Sequence, residues 1–416
     1  MTGWTRWAGI LARLVVGGVW VVAGWLKLGD PTESVRAVRA YQLLPEGLVP
    51  LVGHTLPVLE IVVGLCLLVG LFVRWTAVVS GLMLLAFVIG ISSAWARGLS
   101  IECGCFGGGG GPAAGASDKY PWEIARDVGL LLLSALLVWR PRTGYAVDDV
   151  VTPQAAPVGA VHEPEGSGKR AERARTAARA AAIRREAELA AQKRRNLVMN
   201  GVGLVALALV VAIGGAVQAD RDSTGVVARD PKNVVDSYVL AVGPSSAKVK
   251  VDVYEDFQCP FCQEFEASSR PVVAAYAGKS VQFRYHVISF LDRASTTQYS
   301  SRAMNALGVV LDTAGPQVAK KFHDLLYEDQ PAEGSAGLSD QELIKKAVEA
   351  GATESEVSGG IRGRSFRQWV TNATDVASKK GINSTPTVFV DGKELTPEVA
   401  QDEVRTMVQA IEKGLA

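Results

Sequence analysis

Hydrophobic residues are unevenly spread along the chain. Five apolar stretches, near Trp7–Leu28, Leu51–Phe72, Trp75–Ala96, Trp122–Trp139 and Leu197–Val217, each approach the roughly 20 residues a helix needs to cross a bilayer, the fourth being the shortest. Arg74 is the only charge between the second and third stretches, which predicts a tight helical hairpin. Between the first and second lies Pro31–Pro50, a polar stretch containing Tyr41 and predicted to pack at the interface. The pattern changes after the fifth stretch. Lys248–Tyr254 alternates Val with polar residues and predicts a strand, Val281–Tyr285 a second, and Thr387–Val390 a third that runs into an Asp391-Gly392 hairpin turn. Ala294 to Lys380 is mostly helical in pattern, and Pro397–Lys413 predicts a closing helix.

These patterns divide the 416 residues into 1–140, a four-helix membrane domain; 141–196, a basic linker and helix; 197–217, a fifth transmembrane helix; and 218–416, an α/β domain with a helical insertion. The 48% hydrophobic content is concentrated in the N-terminal third and one later stretch, which implies spans rather than one oversized core. The first stretch is too long for a signal-peptide core. It closes on Lys27-Leu28-Gly29-Asp30-Pro31 without a small-residue cleavage site, so it reads as a retained anchor.

Charge then sets orientation. Arg6, Arg13, Arg140 and Arg142 flank spans, and residues 169–195 hold ten Lys/Arg against three Glu. Five spans with a cytoplasmic N-terminus put all of these inside a cell membrane, and put residues 29–50, 97–121 and everything after Val217 outside. The basic run reads as a solvated juxtamembrane helix, with an anionic-lipid or protein contact as the sharper alternative. Thr143–Ser167 reads as flexible linker. A net charge of +1 gives no reason to expect nucleic acid as a partner.

Four of the five cysteines form two close pairs; Cys66, deep in the second span, reads as a packed core residue. Cys259-Pro260-Phe261-Cys262 follows a predicted strand and should open a helix, whose N-terminus stabilises a thiolate. That makes Cys259 the exposed, attacking thiol and Cys262 the buried resolving one. Half a zinc site is the rival reading. No second C-x-x-C or His pair follows in this domain, where only His286 and His323 remain, so no metal is expected. Cys103-Gly104-Cys105 stands just after the third span, followed by Phe106 and five glycines. Such a pair is too close for a relaxed disulfide and reads as redox-active, the alternatives being a reduced loop or a metal-ligand pair. Lys27 and Glu60, ionisable and near or within the membrane, either pair structurally or line a quinone site with His54. No GxGxxG follows a strand, so no nicotinamide is expected. About 20 residues separate Val217 from Tyr238, a tether of up to roughly 60 Å when extended.

Two resemblances sharpen this reading. Tyr254-Glu255-Asp256-Phe257-Gln258 before the cysteine motif, the helical insertion, and Ser384-Thr385-Pro386-Thr387-Val388-Phe389-Val390-Asp391-Gly392 resemble the DsbA-like branch of the thioredoxin superfamily over residues 232–416. The resemblance implies a thioredoxin-like fold, a cis-proline at Thr385-Pro386 beside the cysteines, and oxidation of reduced exported proteins. The chain departs from it in two places. The dipeptide is Pro-Phe where strongly oxidising members carry Pro-His, and Val253 replaces a buried acid, with Glu255 and Asp256 expected to be exposed. Ala23-Gly24-Trp25-Leu26-Lys27-Leu28, Asp30-Pro31, Tyr41-Gln42-Leu43-Leu44-Pro45, Pro57-Val58-Leu59-Glu60 and Cys103-Gly104-Cys105-Phe106-Gly107 resemble the MauE/DoxX-like membrane family, linked to disulfide handling during maturation of exported enzymes. The four-span arrangement is also similar to DsbB and vitamin K epoxide reductase homologues, which pass electrons to a quinone, here menaquinone or ubiquinone. Together these imply a membrane thiol–disulfide oxidoreductase forming disulfides. An extracytoplasmic reductase or isomerase and a non-enzymatic assembly factor are the alternatives.

Overall fold

The computed structural model describes residues 3–99, 101, 104, 116–140, 146, 169–278, 280–293, 295–395 and 402–416. They form two compact units. The first comprises residues 1–28, 54–89 and 123–218, and the second residues 29–53, 90–122 and 219–416.

The first unit is helical. Its elements come from α1 (Gly3–Leu28), α3 (Val49–Val69), α4 (Val73–Ala96), α5 (Ala116–Trp139) and α6 (Lys169–Arg221). Val16 and Trp20 of α1, Val63 and Leu67 of α3, Leu84 of α4, and Leu130 and Leu137 of α5 share one apolar core. Gly17 and Gly64 let α1 and α3 approach closely: a Cβ on either would stand within 3 Å of the other's carbonyl oxygen.

Among the described residues four helices are long and apolar enough to cross a membrane, over Trp7–Leu28, Val49–Val69, Val73–Ala96 and Gly201–Arg221. The stretch expected at Trp122–Trp139 does form a helix, α5. Glu123, Arg126 and Asp127 occupy its first half, so its uncharged run is only the twelve residues Val128–Trp139. The basic segment and the last span, expected as separate elements, are one 53-residue helix, α6, about 80 Å long at 1.5 Å per residue.

The second unit holds α2 (Pro31–Ala40) and an α/β domain. The domain runs β1 (Leu240–Val242), β2 (Val249–Glu255), α7 (Pro260–Tyr276) and β3 (Val281–Val287). A 3-10 turn at Phe290–Arg293 leads to five helices, α8 (Tyr299–Ala314), α9 (Pro316–Glu328), α10 (Asp340–Ala350), α11 (Glu354–Gly363) and α12 (Arg367–Lys379). After them come β4 (Thr387–Val390), β5 (Lys393–Glu394) and α13 (Glu403–Leu415). The sheet order is β1-β3-β2-β4-β5, with β2 and β3 parallel and the other pairs antiparallel. This is the thioredoxin-like arrangement with a helical block between its strands. β1, only three residues long, carries no sequence period and is defined by its pairing with β3. Asp391 and Gly392 both take positive φ, 49° and 76°, which closes the predicted hairpin.

The segment after α6 corrects the expected tether. Residues 223–233 are bound along the domain surface. Gln368 and Asn372 of α12 bond the backbone of Ser223, Gly225 and Val226, while Asp312 of α8 holds Arg229 and the Lys232 amide. Asn233 also donates to the Leu311 carbonyl. The polar composition that suggests a free linker instead supplies donors and acceptors to helix surfaces.

Candidate active site

Strand β2 ends at Glu255, and the chain turns through Asp256-Phe257-Gln258 to Cys259, the N-cap of α7, with Pro260 in the first helical turn. Proline costs little there because its missing N–H has no intrahelical partner to lose. The turn is fixed by Asp256. Its carboxylate accepts from the Gln258 amide (2.9 Å), the Ser300 hydroxyl (2.5 Å) and the Leu291 amide (3.0 Å). Burial still pushes its pKa up to about 7 against those bonds. From the helical insertion, Gln330 donates to the Cys259 carbonyl at 2.9 Å, and Gln258 donates to the carbonyls of Ala332 and Ser335.

Cys259 and Cys262 are both free thiols. Cys259 Sγ lies 3.3 Å from the Thr385 carbonyl oxygen, next to the cis Thr385-Pro386 bond. The structure thus brings together all four residues that the sequence assigns to this site. It corrects the expected exposure of Cys259, which is only 5% accessible because the Thr385 loop covers it; Phe261 beside it is 41% exposed. Hydrogen bonding from Cys262, and then from Thr385, holds Cys259 below an ordinary thiol despite burial. Cys262 is fully buried, and burial and its neighbour Cys259 push it well above the ordinary thiol range. The pair is therefore asymmetric, with one sulfur suited to carry negative charge and the other to keep its proton.

Glu255 and Asp256, expected at the surface, are both completely buried. Glu255 lies in phase with the buried Val249, Val251 and Val253 of β2 and so points into the core, while Asp256, in the turn that follows, is enclosed by the Leu291 amide and the Ser300 hydroxyl. Glu255 Oε1 contacts His323 Nε2 of α9 at 2.5 Å, and His323 Nδ1 lies 3.1 Å from Asp324 and 3.9 Å from Glu266 of α7. Burial opposes the charged ring, yet Glu255 and Asp324 outweigh it and hold His323 at about 9. Burial, and then the Glu255 charge, raise Glu266 to about 7. Ligand atoms of Glu255, Glu266 and His323 lie within 4.8 Å of one another. Lys320 stands 3.6 Å from Glu266, so a cation already fills the electrostatic role a metal would take, and proton sharing suits the cluster better. Sequence reasoning assigned no role to this cluster. Its members are 68 and 57 residues apart and carry no local motif.

In the first unit, Lys27 Nζ and Glu60 Oε1 are paired at 2.5 Å, with Lys27 also 5.6 Å from the Phe87 ring centre. Trp20 donates to Ser80, which bonds Ser134. Glu60 Oε2 is buried without a hydrogen-bond partner among the described residues. His54 is also buried, six residues before Glu60 on α3, a rotation of about 240° around the helix. Cys66 is buried. Cys103 and Cys105 lie outside the described residues.

The family described as Methylamine utilisation protein MauE matches residues 5–140, and the family described as Thioredoxin matches residues 236–410. A stretch of 155 residues is 32% identical to Serine/threonine-protein kinase PknE of Mycobacterium tuberculosis; it covers 36% of this chain and only 27% of the kinase. Among solved structures, reduced DsbA from Mycobacterium tuberculosis is 28% identical, covering 42% of this chain and 96% of its own, with a TM-score of 0.36. BdbD from Bacillus subtilis is 20% identical, covering 46% and 100%, with a TM-score of 0.39. The chain is thus a MauE membrane domain at its N-terminus followed, after a further long helix, by a thioredoxin-like domain.

Proposed function

We propose that the chain is a membrane thiol–disulfide oxidoreductase that forms disulfides in exported proteins. The observation that carries this reading is the asymmetry of Cys259 and Cys262. In the oxidised domain, a substrate thiolate attacks Cys259 Sγ. The Cys259–Cys262 bond breaks, and Cys262 leaves and takes a proton, for which the buried His323–Glu255–Glu266 cluster is a reservoir. A second substrate thiolate attacks the substrate sulfur of the mixed disulfide and expels Cys259. The substrate keeps a disulfide, and two electrons rest on the Cys259/Cys262 pair. A lowered pKa makes Cys259 a good leaving group in the last step, which favours donating disulfides over reducing them.

The reduced pair is then reoxidised by the Cys103/Cys105 disulfide through the same exchange, run between two pairs of one polypeptide. Residues 29–53, the described part of 90–122 and the thioredoxin-like domain cluster into one compact unit, which supports their sharing the extracytoplasmic side of the cell membrane with the N-terminus inside. That orientation requires α5 to cross as well.

A membrane quinone, menaquinone or ubiquinone, would supply a two-electron acceptor. Lys27 and Glu60 fit such a group: the orphaned Glu60 Oε2 and the Lys27 ammonium are buried polar atoms beside the Phe87 ring. Lys27 would orient a carbonyl oxygen of the quinone and Glu60 would hold a proton for it, with His54 a further polar group on the same helix as Glu60.

The test is anaerobic. Pre-reduced protein is mixed with a quinone and a reduced test peptide, and quinone reduction is followed for wild type, Cys103→Ala and Cys259→Ala. Loss of turnover in both variants is expected. Full turnover without Cys103 removes the membrane pair from the pathway, and peptide disulfides that are reduced rather than formed reverse its direction.

A further inference from the structure

Helix α2 is ten residues long and polar, Pro-Thr-Glu-Ser-Val-Arg-Ala-Val-Arg-Ala, yet eight of its residues are buried, Glu33, Arg36 and Arg39 among them. A solvated amphipathic helix buries one stripe and leaves its charges in water. Charges buried on several sides need partners, because an unpaired buried charge is strongly destabilising.

The partners come from the thioredoxin-like domain. Arg39 Nη1 donates to Asp375 Oδ1 (3.2 Å) and Ser378 Oγ (3.3 Å) on α12, while its other nitrogens bond Glu46. Glu33 Oε2 lies 2.6 Å from Arg293 Nε in the 3-10 turn after β3. Thr32 Oγ1 donates to Asp222 at 2.9 Å, at the point where α6 gives way to the domain. Asp375 and Glu33 are both buried. The charges are matched in order: an acid on α2 meets a base on the domain, and a base six residues later meets an acid. A shift of α2 by one turn would break both pairs.

Both docking points connect directly to the cysteine site. α12 leads through Lys380-Gly381 into Thr385, whose carbonyl touches Cys259. The turn that carries Arg293 also carries Leu291, whose amide bonds the Asp256 carboxylate. The segment following α6 is itself bound along α12 and α8, and its partners Gln368 and Asn372 lie on the same face of α12 as Asp375.

We infer that α2 is a docking helix: the loop between the first two spans fastens the thioredoxin-like domain through Arg39–Asp375 and Glu33–Arg293, beside its cysteine motif. Within the second unit, the thioredoxin-like domain is thereby fixed to α2. This does not depend on the direction of electron flow or on a quinone.

The test uses the full chain in lipid nanodiscs and reads amide hydrogen exchange over residues 31–40 and 367–379. Arg39→Ala, Asp375→Ala and the double variant form a cycle. Each single variant is expected to speed exchange across α2 by about tenfold, as loss of one partner of a buried charge pair does, with the double variant no faster than the worse single. The rate at which Cys259 reacts with oxidised glutathione after pre-reduction should stay within about twofold, since neither residue touches a sulfur and exchange with a small disulfide follows thiolate character and access. Wild-type α2 exchanging as fast as an unstructured peptide overturns the inference, as do single effects that multiply in the double variant. Should the first pair fail to fold, Glu33→Gln with Arg293→Gln gives an independent cycle with the same expected non-additivity. Docking confirmed in a protein that does not turn over peptide would leave this inference standing and remove the oxidase reading.

Discussion

His323 Nε2 stands 2.5 Å from Glu255 Oε1, and neither side chain has any exposure to solvent. This pair, on α9 and β2, couples the helical insertion to the strand that delivers the cysteine motif. It ties the stability of the domain to its redox chemistry.

Removing one partner leaves the other charge buried. His323→Ala is expected to destabilise the domain by about 3–5 kcal/mol, read from chemical denaturation. Glu255→Gln combined with His323→Gln should recover most of that loss. If the double variant is as unstable as the sum of the singles, the pair is not the coupled unit described.

Stability should also fall with rising pH through the acid range. Glu266 keeps its proton in the folded domain to about pH 7, whereas in the unfolded chain it loses it near its ordinary value of 4.5. Between these the folded state binds more protons, so each rise in pH favours unfolding; the share of Glu266 ends near pH 7, above which His323, held at about 9 against an ordinary 6.5, continues the decline. Glu266→Gln should remove about 1–3 kcal/mol of that decline in denaturation midpoints measured from pH 4.5 to 7. An unchanged slope would mean that Glu266 titrates normally.

The two thiols should separate chemically. At neutral pH, iodoacetamide should modify Cys259 about a hundredfold faster than Cys262, since the thiolate is the reactive form and Cys262 is buried. Cys262→Ala should accumulate a mixed disulfide between Cys259 and a thiol substrate, visible on a non-reducing gel, whereas Cys259→Ser should form none. Equal alkylation of both sulfurs would contradict the asymmetry.

Within the membrane domain, Lys27→Met alone strands Glu60 and should cost about 3–5 kcal/mol in thermal stability. Lys27→Met with Glu60→Leu replaces the pair by apolar groups and should restore stability. If the pair also serves a quinone, the double variant stays inactive toward quinone while its thioredoxin-like domain still exchanges with glutathione. Restored turnover would make the pair purely structural.

Much of this was legible from local pattern. The cysteine motif, the Thr385-Pro386 element, strands β2, β3 and β4 and the Asp391-Gly392 turn are each set by a few consecutive residues. What escaped depends on distant chain. Glu255 and Asp256 read as surface residues because acids are usually solvated, and the partners that make their burial tolerable, His323 for Glu255 and the Leu291 amide and Ser300 for Asp256, lie 35 to 68 residues away. Cys259 reads as exposed because the loop that covers it arrives 126 residues later. His323 gives no sign in its own helix that it faces Glu255. The segment after α6 has a linker's composition, and only the partners on α8 and α12 reveal that it is bound. α5 differs from the other expected spans in a way the sequence already showed, with its charges gathered in the first half of the helix.

The bound segment between Asp222 and Asn233 has a genetic corollary. A segment bound to its own domain leaves less free chain for that domain to reach a neighbouring polypeptide. Co-expressing one copy that lacks Cys259 with another that lacks Cys103 should therefore fail to rescue disulfide formation, even though every required sulfur is present in the cell. Rescue would mean that the domain swings free.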